Sequence, residues 1–340
     1  MATISPAKVE AAKKLTAAEV GKLWATYMGN TMSTCVLRYC LQNVEDVDIK
    51  NVLETALGLS EQFIQSIHDI FTQENHPIPM GFNENDVNLD ASRLFEDEFY
   101  LHYLKYVGKA GISLYGTAVP LMTTPEVRNF FTNSLDSTVK LMNAVNDVLE
   151  AKGYLIKPPY IPEAKNIDFV KKQNYLNGFF GDVRPLQSLE ITHLYDNVQN
   201  NAISKAVLIG FCQVAKRDEV RNYFLRGKDL ASKHIEVFSE KLQKDDLPAH
   251  PLLDHLVTNA TDSVFSDKLM MFHKLDMFAM KIRTYGNALS FCARHDLAVA
   301  LGRCLLEVGN YTEDGANILI ELGWLEQPPQ AADRDALAHT

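Results

Sequence analysis

Residues three apart on a helix face the same way. A glutamate followed three positions later by a histidine is therefore the half-site from which carboxylate-bridged di-metal centres are built. The chain holds one such pair, Glu190 and His193. With ten histidines and 43 acidic residues in the chain, about one accidental match is expected, and a di-metal cage needs two pairs and two further glutamates. Glu190 also opens a helix, where its carboxylate suits the dipole, so the pair is set aside as ligands. Glu54, Glu61 and His68 recur at seven-residue steps, and Glu98 precedes His102 by four. These stripes flank an apolar face and predict a solvated or oligomer-facing edge. Phosphate-loop, nucleophile-elbow and H-E-x-x-H signatures are absent, and no nucleophile can be nominated. The aromatic run Phe95, Phe99, Tyr100, Tyr103 and Tyr106 reads as core at helical spacing, with an apolar pocket as the other reading.

Sharper candidates come from an internal repeat. Leu15, Glu19, Asn30, Gln42, Asn51 and Pro77 recur 171 residues later as Leu186, Glu190, Asn201, Gln213, Asn222 and Pro248. After one net deletion the offset is 170, and Asp97, Tyr115, Gly116, Gly153, Pro158 and Pro159 meet Asp267, Tyr285, Gly286, Gly323, Pro328 and Pro329. The chain is a tandem duplication of one unit. A position that is apolar or aromatic in one copy is expected to point inward in the other. His234 aligns with Phe63 and His273 with Tyr103, so both histidines are expected in the core of the second copy. Glu313 and Asp314, aligned with Asn143 and Ala144, lie on its last helix. His234, His273 and Glu313, with Asp314 as the alternative carboxylate, form the candidate centre for one transition metal: iron, manganese or zinc. The competing reading makes both histidines hydrogen-bonded core residues. Asn30 with Asn201 and Gln42 with Gln213 are expected to bond between helices, because buried amides must be satisfied.

Composition narrows the partners. Asp and Glu outnumber Lys and Arg by 43 to 33, a net charge of −10, which is opposite to the footprint of a phosphate-backbone binder. Nucleic acid is an unexpected partner. The five cysteines form no C-x-x-C pair and read as small buried side chains in a reducing compartment. The N-terminus lacks an apolar signal region and no stretch is long enough to span a bilayer, so a cytoplasmic protein without membrane contact is expected.

The elements that must position these residues are long amphipathic helices. Periodicity predicts them at 16–44, 47–75, 91–120 and 124–152, then 187–215, 217–244, 264–293 and 295–322. Thr16 to Glu19 form a capping box, Thr124-Pro125 start a helix, and Gly153 and Gly323 stop the fourth helix of each copy. The loop at 76–90 is long enough to cross a helical bundle, although a simple up-down connection is equally open. The prolines at 158, 159 and 162 extend a linker, and Ile167 to Val170 are expected to dock on a bundle. The division expected is 1–157, a linker at 158–185, and 186–340.

Three segments carry a family resemblance: Gly323-Trp324-Leu325-Glu326-Gln327-Pro328-Pro329, the run from Phe265 to His273, and Lys233-His234-Ile235-Glu236-Val237-Phe238. They resemble a family of tandem-duplicated proteins of unknown function, found mainly in spore-forming Gram-positive bacteria. The resemblance implies an all-α fold of two tandem ferritin-like four-helix bundles and a spore-associated setting. It implies no activity, since fold alone does not confer one. The expectation is a non-enzymatic scaffold or spore- and stress-associated interaction protein, with protein partners or a homo-oligomer. The alternative is a degenerate ferritin-like metalloprotein with one centre in the second bundle.

Overall fold

The computed structural model describes residues 14–339. Eight long helices carry the fold. The first half contributes α1 (Ala17–Asn43), α2 (Val47–Gln73), α3 (Asp97–Ala118) and α4 (Pro125–Ala151). The second contributes α5 (Ser188–Val214), α6 (Asp218–Gln243), α7 (Asp267–Phe291) and α8 (His295–Glu321), and a short α9 (Arg334–Ala338) follows in the tail. Among the described residues no strand forms, and β pairing is confined to two isolated bridges.

The residues shared by the two copies hold the helices in place. Thr16 and Glu19 make the expected reciprocal capping box, at 2.7 and 3.3 Å. Glu19 does more than cap, because its second oxygen accepts the backbone N–H groups of Thr123 at 3.0 Å and Thr124 at 2.6 Å. One buried carboxylate thus ties the start of α1 to the start of α4. Burial alone would raise its pKa, but the amide donors of Thr16 and Thr124 outweigh it and hold the group at about 2. Glu190 repeats the arrangement with Gln187, Ala293 and Arg294, and adds both ends of Arg184 at 2.8 Å. The Glu190-x-x-His193 match is therefore a helix clamp. Asp97 accepts the N–H groups of Glu45 and Asp46, and Asp267 those of Lys216 and Arg217. Gly153 and Gly323 adopt φ of 73° and 65° at the ends of α4 and α8, the left-handed stop that only glycine takes without penalty. Thr124 makes no side-chain cap; the proline at the first position and the Glu19 clamp start α4 without it.

Helices α3 and α7 begin later than periodicity predicts, because the preceding residues pair with the other half. Glu96 N–H donates to Leu256 O at 2.9 Å and Thr258 N–H to Leu94 O at 3.0 Å, while Asn88 N–H donates to Val264 O at 2.7 Å. Local periodicity could not register this long-range competition for the backbone.

Helix α1 packs on α2, α3 on α4 and α2 on α4; likewise α5 packs on α6, α7 on α8, α5 on α7 and α6 on α8. The two halves meet where α1 touches α7 and α3 touches α5. Since α5 and α7 are the repeats of α1 and α3, these contacts exchange under the duplication, as in an isologous dimer interface. The bridges Val87 with Phe265 and Phe95 with Val257 exchange in the same way. Tyr103 and His273, counterparts in the repeat, mark the pseudo-axis: their rings stack at 5.6 Å and the tyrosine hydroxyl lies 2.6 Å from Nε2 of the histidine.

Between the halves the chain is irregular apart from one short turn at Gln173–Leu176. Ile167 and Phe169 are 95% and 78% exposed, so the expected docking does not occur. The helices already cover one another's apolar faces, and the segment runs outside their packing.

Candidate ligand-binding site

The second half has one continuous apolar core, which extends through the interface into part of the first half. The first half does not. Leu23, Phe63, Ile67, Phe71, Tyr115 and Phe131 belong to a separate cluster. A cavity of about 190 Å³ lies between the two clusters, lined by Phe63 and Tyr115 on one side and by Met32, Ala56, Leu104 and Leu141 on the other.

Sequence differences between the copies explain the empty space. Along α3 the wall is formed by Leu104, Gly108, Ala110 and Gly111; their counterparts on α7 are Lys274, Phe278, Met280 and Lys281, all buried. On α4 the wall residue Leu141 stands where α8 carries the buried Tyr311. Each exchange removes volume from the first half. The glycines fit their surroundings, since a Cβ at 108 would fall 2.3 Å from Met142 Sδ and one at 111 would fall 3.3 Å from the Tyr115 ring.

The interface supplies a further exchange. Tyr106 of α3 reaches into the second half, where it is 2% exposed and donates to Met277 O at 2.8 Å. Its counterpart, Asp276 of α7, reaches toward the first half and lines the cavity. The shorter side chain fills less of the space and carries a charge. Asp276 makes no hydrogen bond or ion pair with any described residue. Asp276 is exposed and lines the cavity. Desolvation raises its pKa, and the nearby positive charge of Arg283 only partly counters this. Arg283, two helical turns further along α7, lines both the cavity and an outer groove of about 660 Å³ at the seam between the halves.

Other polar groups on the wall have spare capacity. Asn30 Nδ2 donates to Thr26 O at 2.7 Å and to the Tyr115 hydroxyl at 3.4 Å, while its Oδ1 accepts nothing from the described residues. Tyr115 accepts that bond and donates none, and the Ser33 and Ser60 hydroxyls are unengaged. The second half completes the equivalent circuit. Asn201 donates to Tyr285 at 2.8 Å, Tyr285 lies 2.9 Å from His234 Nδ1, and His234 Nε2 lies 3.0 Å from Glu307, which Lys233 contacts at 2.6 Å. Burial lowers the His234 pKa to about 4 despite Glu307, so the ring is neutral. Tyr285 then donates to Nδ1, and Nε2–H donates to the carboxylate. In the first half Phe63 and Ser137 replace His234 and Glu307, and the Tyr115 proton is left for the cavity.

With this geometry in place, comparison with known proteins supplies the kinship. The family described as "Protein of unknown function (DUF3231)" matches twice, over residues 7–167 and 175–337. The chain belongs to the DUF3231 family. No curated protein matches. Among solved structures, a candidate spore coat protein of Bacillus halodurans C-125 is similar at 16% identity and a TM-score of 0.41, over 44% of this chain and 98% of its own. That likeness is too distant to carry fold or function across.

The residues picked from this DUF3231 sequence as metal ligands are not brought together. His234 is engaged by Tyr285 and Glu307, whereas His273 sits on the pseudo-axis against Tyr103. Glu313 is exposed on α8, and Asp314 pairs with Arg226 at 2.9 Å on the surface. Both acidic residues point away from the core because they occupy the solvent face of the same helix whose inner face carries Tyr311 and Gly315. Among the described residues no group of three or more His, Cys, Asp or Glu could hold a metal ion. Glu54, Glu61 and His68 lie on an exposed face as expected. His102 does not: it is 2% exposed, with its ring against His250 in an edge contact at 6.4 Å. The face it shares with Glu98 is turned toward the second copy within the same chain. Sequence reasoning missed Asp276. Its signal was the reverse of the one used for the histidines: a charged residue at the counterpart of an aromatic one, beside glycines at the counterparts of large side chains.

Proposed function

We propose that this DUF3231 protein is a non-catalytic small-molecule receptor, in which the first half holds the ligand and the second half closes and charges its cavity. In this reading the chain is two tandem ferritin-like four-helix bundles, 1–157 and 186–340, joined by a linker at 158–185. The observation that carries it is the unpartnered Asp276 carboxylate facing a cavity of about 190 Å³. An apolar cavity of about 150 Å³ accepts benzene, so the volume suffices for a small organic molecule. No helix among the described residues is long and apolar enough to cross a membrane, which fits a ligand drawn from solution.

Xenon or toluene binding, read by NMR or by diffraction from pressurised crystals, tests the receptor reading. The wild type should take up the probe at Phe63, Leu104 and Leu141. Ala110→Met, which installs the second half's Met280 at the equivalent wall position, should reduce uptake. No uptake, or uptake indifferent to the substitution, defeats the reading.

A second reading, association with another copy of the chain, is favoured by the apolar side chains on the linker, where Tyr160, Ile167, Phe169 and Phe180 are each more than three-quarters exposed. Light scattering after size exclusion addresses it; a monomer across the accessible concentration range rules it out.

A further inference from the structure

The chemistry of the cavity wall restricts what the ligand can be. Asp276 offers a carboxylate, Asn30 a free Oδ1 and Tyr115 a hydroxyl oxygen with one acceptor site used, and all three line the same space. The donors available are the tyrosine proton, the Ser33 and Ser60 hydroxyls and, on the groove side, the Arg283 guanidinium. A ligand that brings N–H groups satisfies the Asp276 carboxylate, Asn30 Oδ1 and the Tyr115 oxygen, which a ligand that brings only lone pairs leaves unpaired. The rings of Phe63, Tyr103 and Tyr115 surround the same volume, and aromatic faces favour a cation once water is excluded. Arg283 lines both the cavity and the outer groove, whereas Asp276 lines the cavity and not that groove. A cationic group would therefore sit inside and an apolar body would rest on Leu104, Leu114 and Leu141.

Resting on the receptor reading above, we propose that the cavity binds a small primary amine in its ammonium form, with Asp276 as counter-ion, Asn30 Oδ1 and the Tyr115 oxygen as further acceptors, and the aliphatic and aromatic wall around its carbon skeleton. The two halves then have separate tasks. Neither forms the site alone, since the wall belongs to the first half and the counter-ion to the second. The duplication provides the asymmetry: once the copies were fused, α7 could exchange an aromatic side chain for a carboxylate without altering α3.

The test uses the full chain and three probes of similar shape, benzylamine, benzyl alcohol and toluene, titrated calorimetrically at a pH where the amine is protonated. Benzylamine should bind more tightly than benzyl alcohol. Asp276→Asn should weaken benzylamine at least about tenfold, the size expected when a charge-assisted contact is removed, and should weaken toluene, which has no group to bond the carboxylate, far less. Carbon-13 NMR of labelled aspartate provides a readout independent of the variant's folding: saturation with benzylamine should shift the titration of the Asp276 carboxyl signal to lower pH. If toluene or benzyl alcohol binds and benzylamine binds no better, or if the Asp276 titration is unmoved by benzylamine, the amine inference is wrong and the receptor reading survives. If none of the three binds, both fall together.

Discussion

Replacing His234 by phenylalanine, the residue at the equivalent place in the first half, isolates the energy of the buried polar chain. The ring shape is nearly kept: Phe63 meets Tyr115 edge-on at 5.9 Å, and His234 meets Tyr285 edge-on at 5.6 Å. Steric cost should therefore be small, and the change is one of hydrogen bonding. His234 and Tyr285 are both 0% exposed, so Tyr285 would keep its proton with no acceptor and no water. A buried donor left unpaired costs about 1–3 kcal/mol. Glu307 loses a partner too, but its side chain is 26% exposed and retains Lys233 at 2.6 Å, so its share is small. The added apolar ring offsets part of the total, leaving an expected loss of about 1–2 kcal/mol.

A second substitution turns this into a test of coupling. Tyr285→Phe in the His234→Phe background removes the orphan hydroxyl, and Asn201 Nδ2 still donates to Asn197 O at 2.7 Å. The double variant should be more stable than the sum of the two single losses by about 1–2 kcal/mol, a coupling of the size seen for residues in one network. Urea unfolding followed by circular dichroism, analysed at constant m-value, gives all four corners of the cycle. If His234→Phe equals or exceeds the wild type in stability, or if Tyr285→Phe costs the same in both backgrounds, the chain from Asn201 to Glu307 does not act as a unit.

Three further outcomes are expected. Lys281 is 1% exposed, its Nζ has no hydrogen-bond partner among the described residues, it lies over the Phe278 ring at 4.4 Å, and burial lowers its pKa to about 7; Lys281→Met should raise unfolding stability at pH 7 by about 1–3 kcal/mol in urea titrations. Burial lowers the pKa of His102, His234 and His250 to about 4 and that of His273 to about 3. The unfolded chain therefore binds protons below about 6.5 that the folded chain refuses. Their contribution is complete above that pH and is lost as the pH falls toward 4 and then 3, so the melting temperature should drop across that window. Asp276 titrates in the opposite sense: its raised pKa makes the folded form bind the extra proton, so its cost grows as pH rises through the folded value. Asp276→Asn should stabilise the ligand-free protein at pH 7, with the gain shrinking as pH falls into the ordinary carboxylate range; a gain independent of pH contradicts the placement of the carboxylate.

The helices were legible because their signals are local. Capping residues at 16 and 19, the glycines at 153 and 323, and three- and four-residue apolar spacing needed no tertiary information. The starts of α3 and α7 were not legible, since residues 94 and 96 give their backbone bonds to 258 and 256 in the other half. The repeat correctly indicated that His234 and His273 face inward, as both are buried. It could not indicate what they face. His234 bonds within its own half, whereas His273 meets its own counterpart, Tyr103, across a pseudo-axis that no spacing rule reveals. Glu313 was chosen as an acidic residue on the last helix, and its position two residues from the inward Tyr311 and Gly315, about half a turn, puts it on the opposite face.

The duplication also separates scaffold from site in a way that neither half could show alone. Three shared polar pairs perform the same structural task twice: Glu19 and Glu190 clamp helix starts, Asp97 and Asp267 tie the preceding turn, and Asn30 and Asn201 donate to Tyr115 and Tyr285. Gln42 and Gln213 do not: Gln213 donates to Thr258 O and Ala260 O, whereas Gln42 is exposed. A residue that must do the same task in both copies is constrained by the fold and carries no information about ligand. The exchanged positions are different. Gly108, Gly111 and Leu141 against Phe278, Lys281 and Tyr311 hollow one half while filling the other, and Asp276 against Tyr106 places a charge where the hollow is. Exchanges in the other sense also occur on the wall, as Ala56 against Gly227 and Leu114 against Thr284, so the hollow follows from the large residues of α7 and α8, Lys274, Phe278, Lys281 and Tyr311, that the first half lacks, and Asp276 adds a charge on its wall.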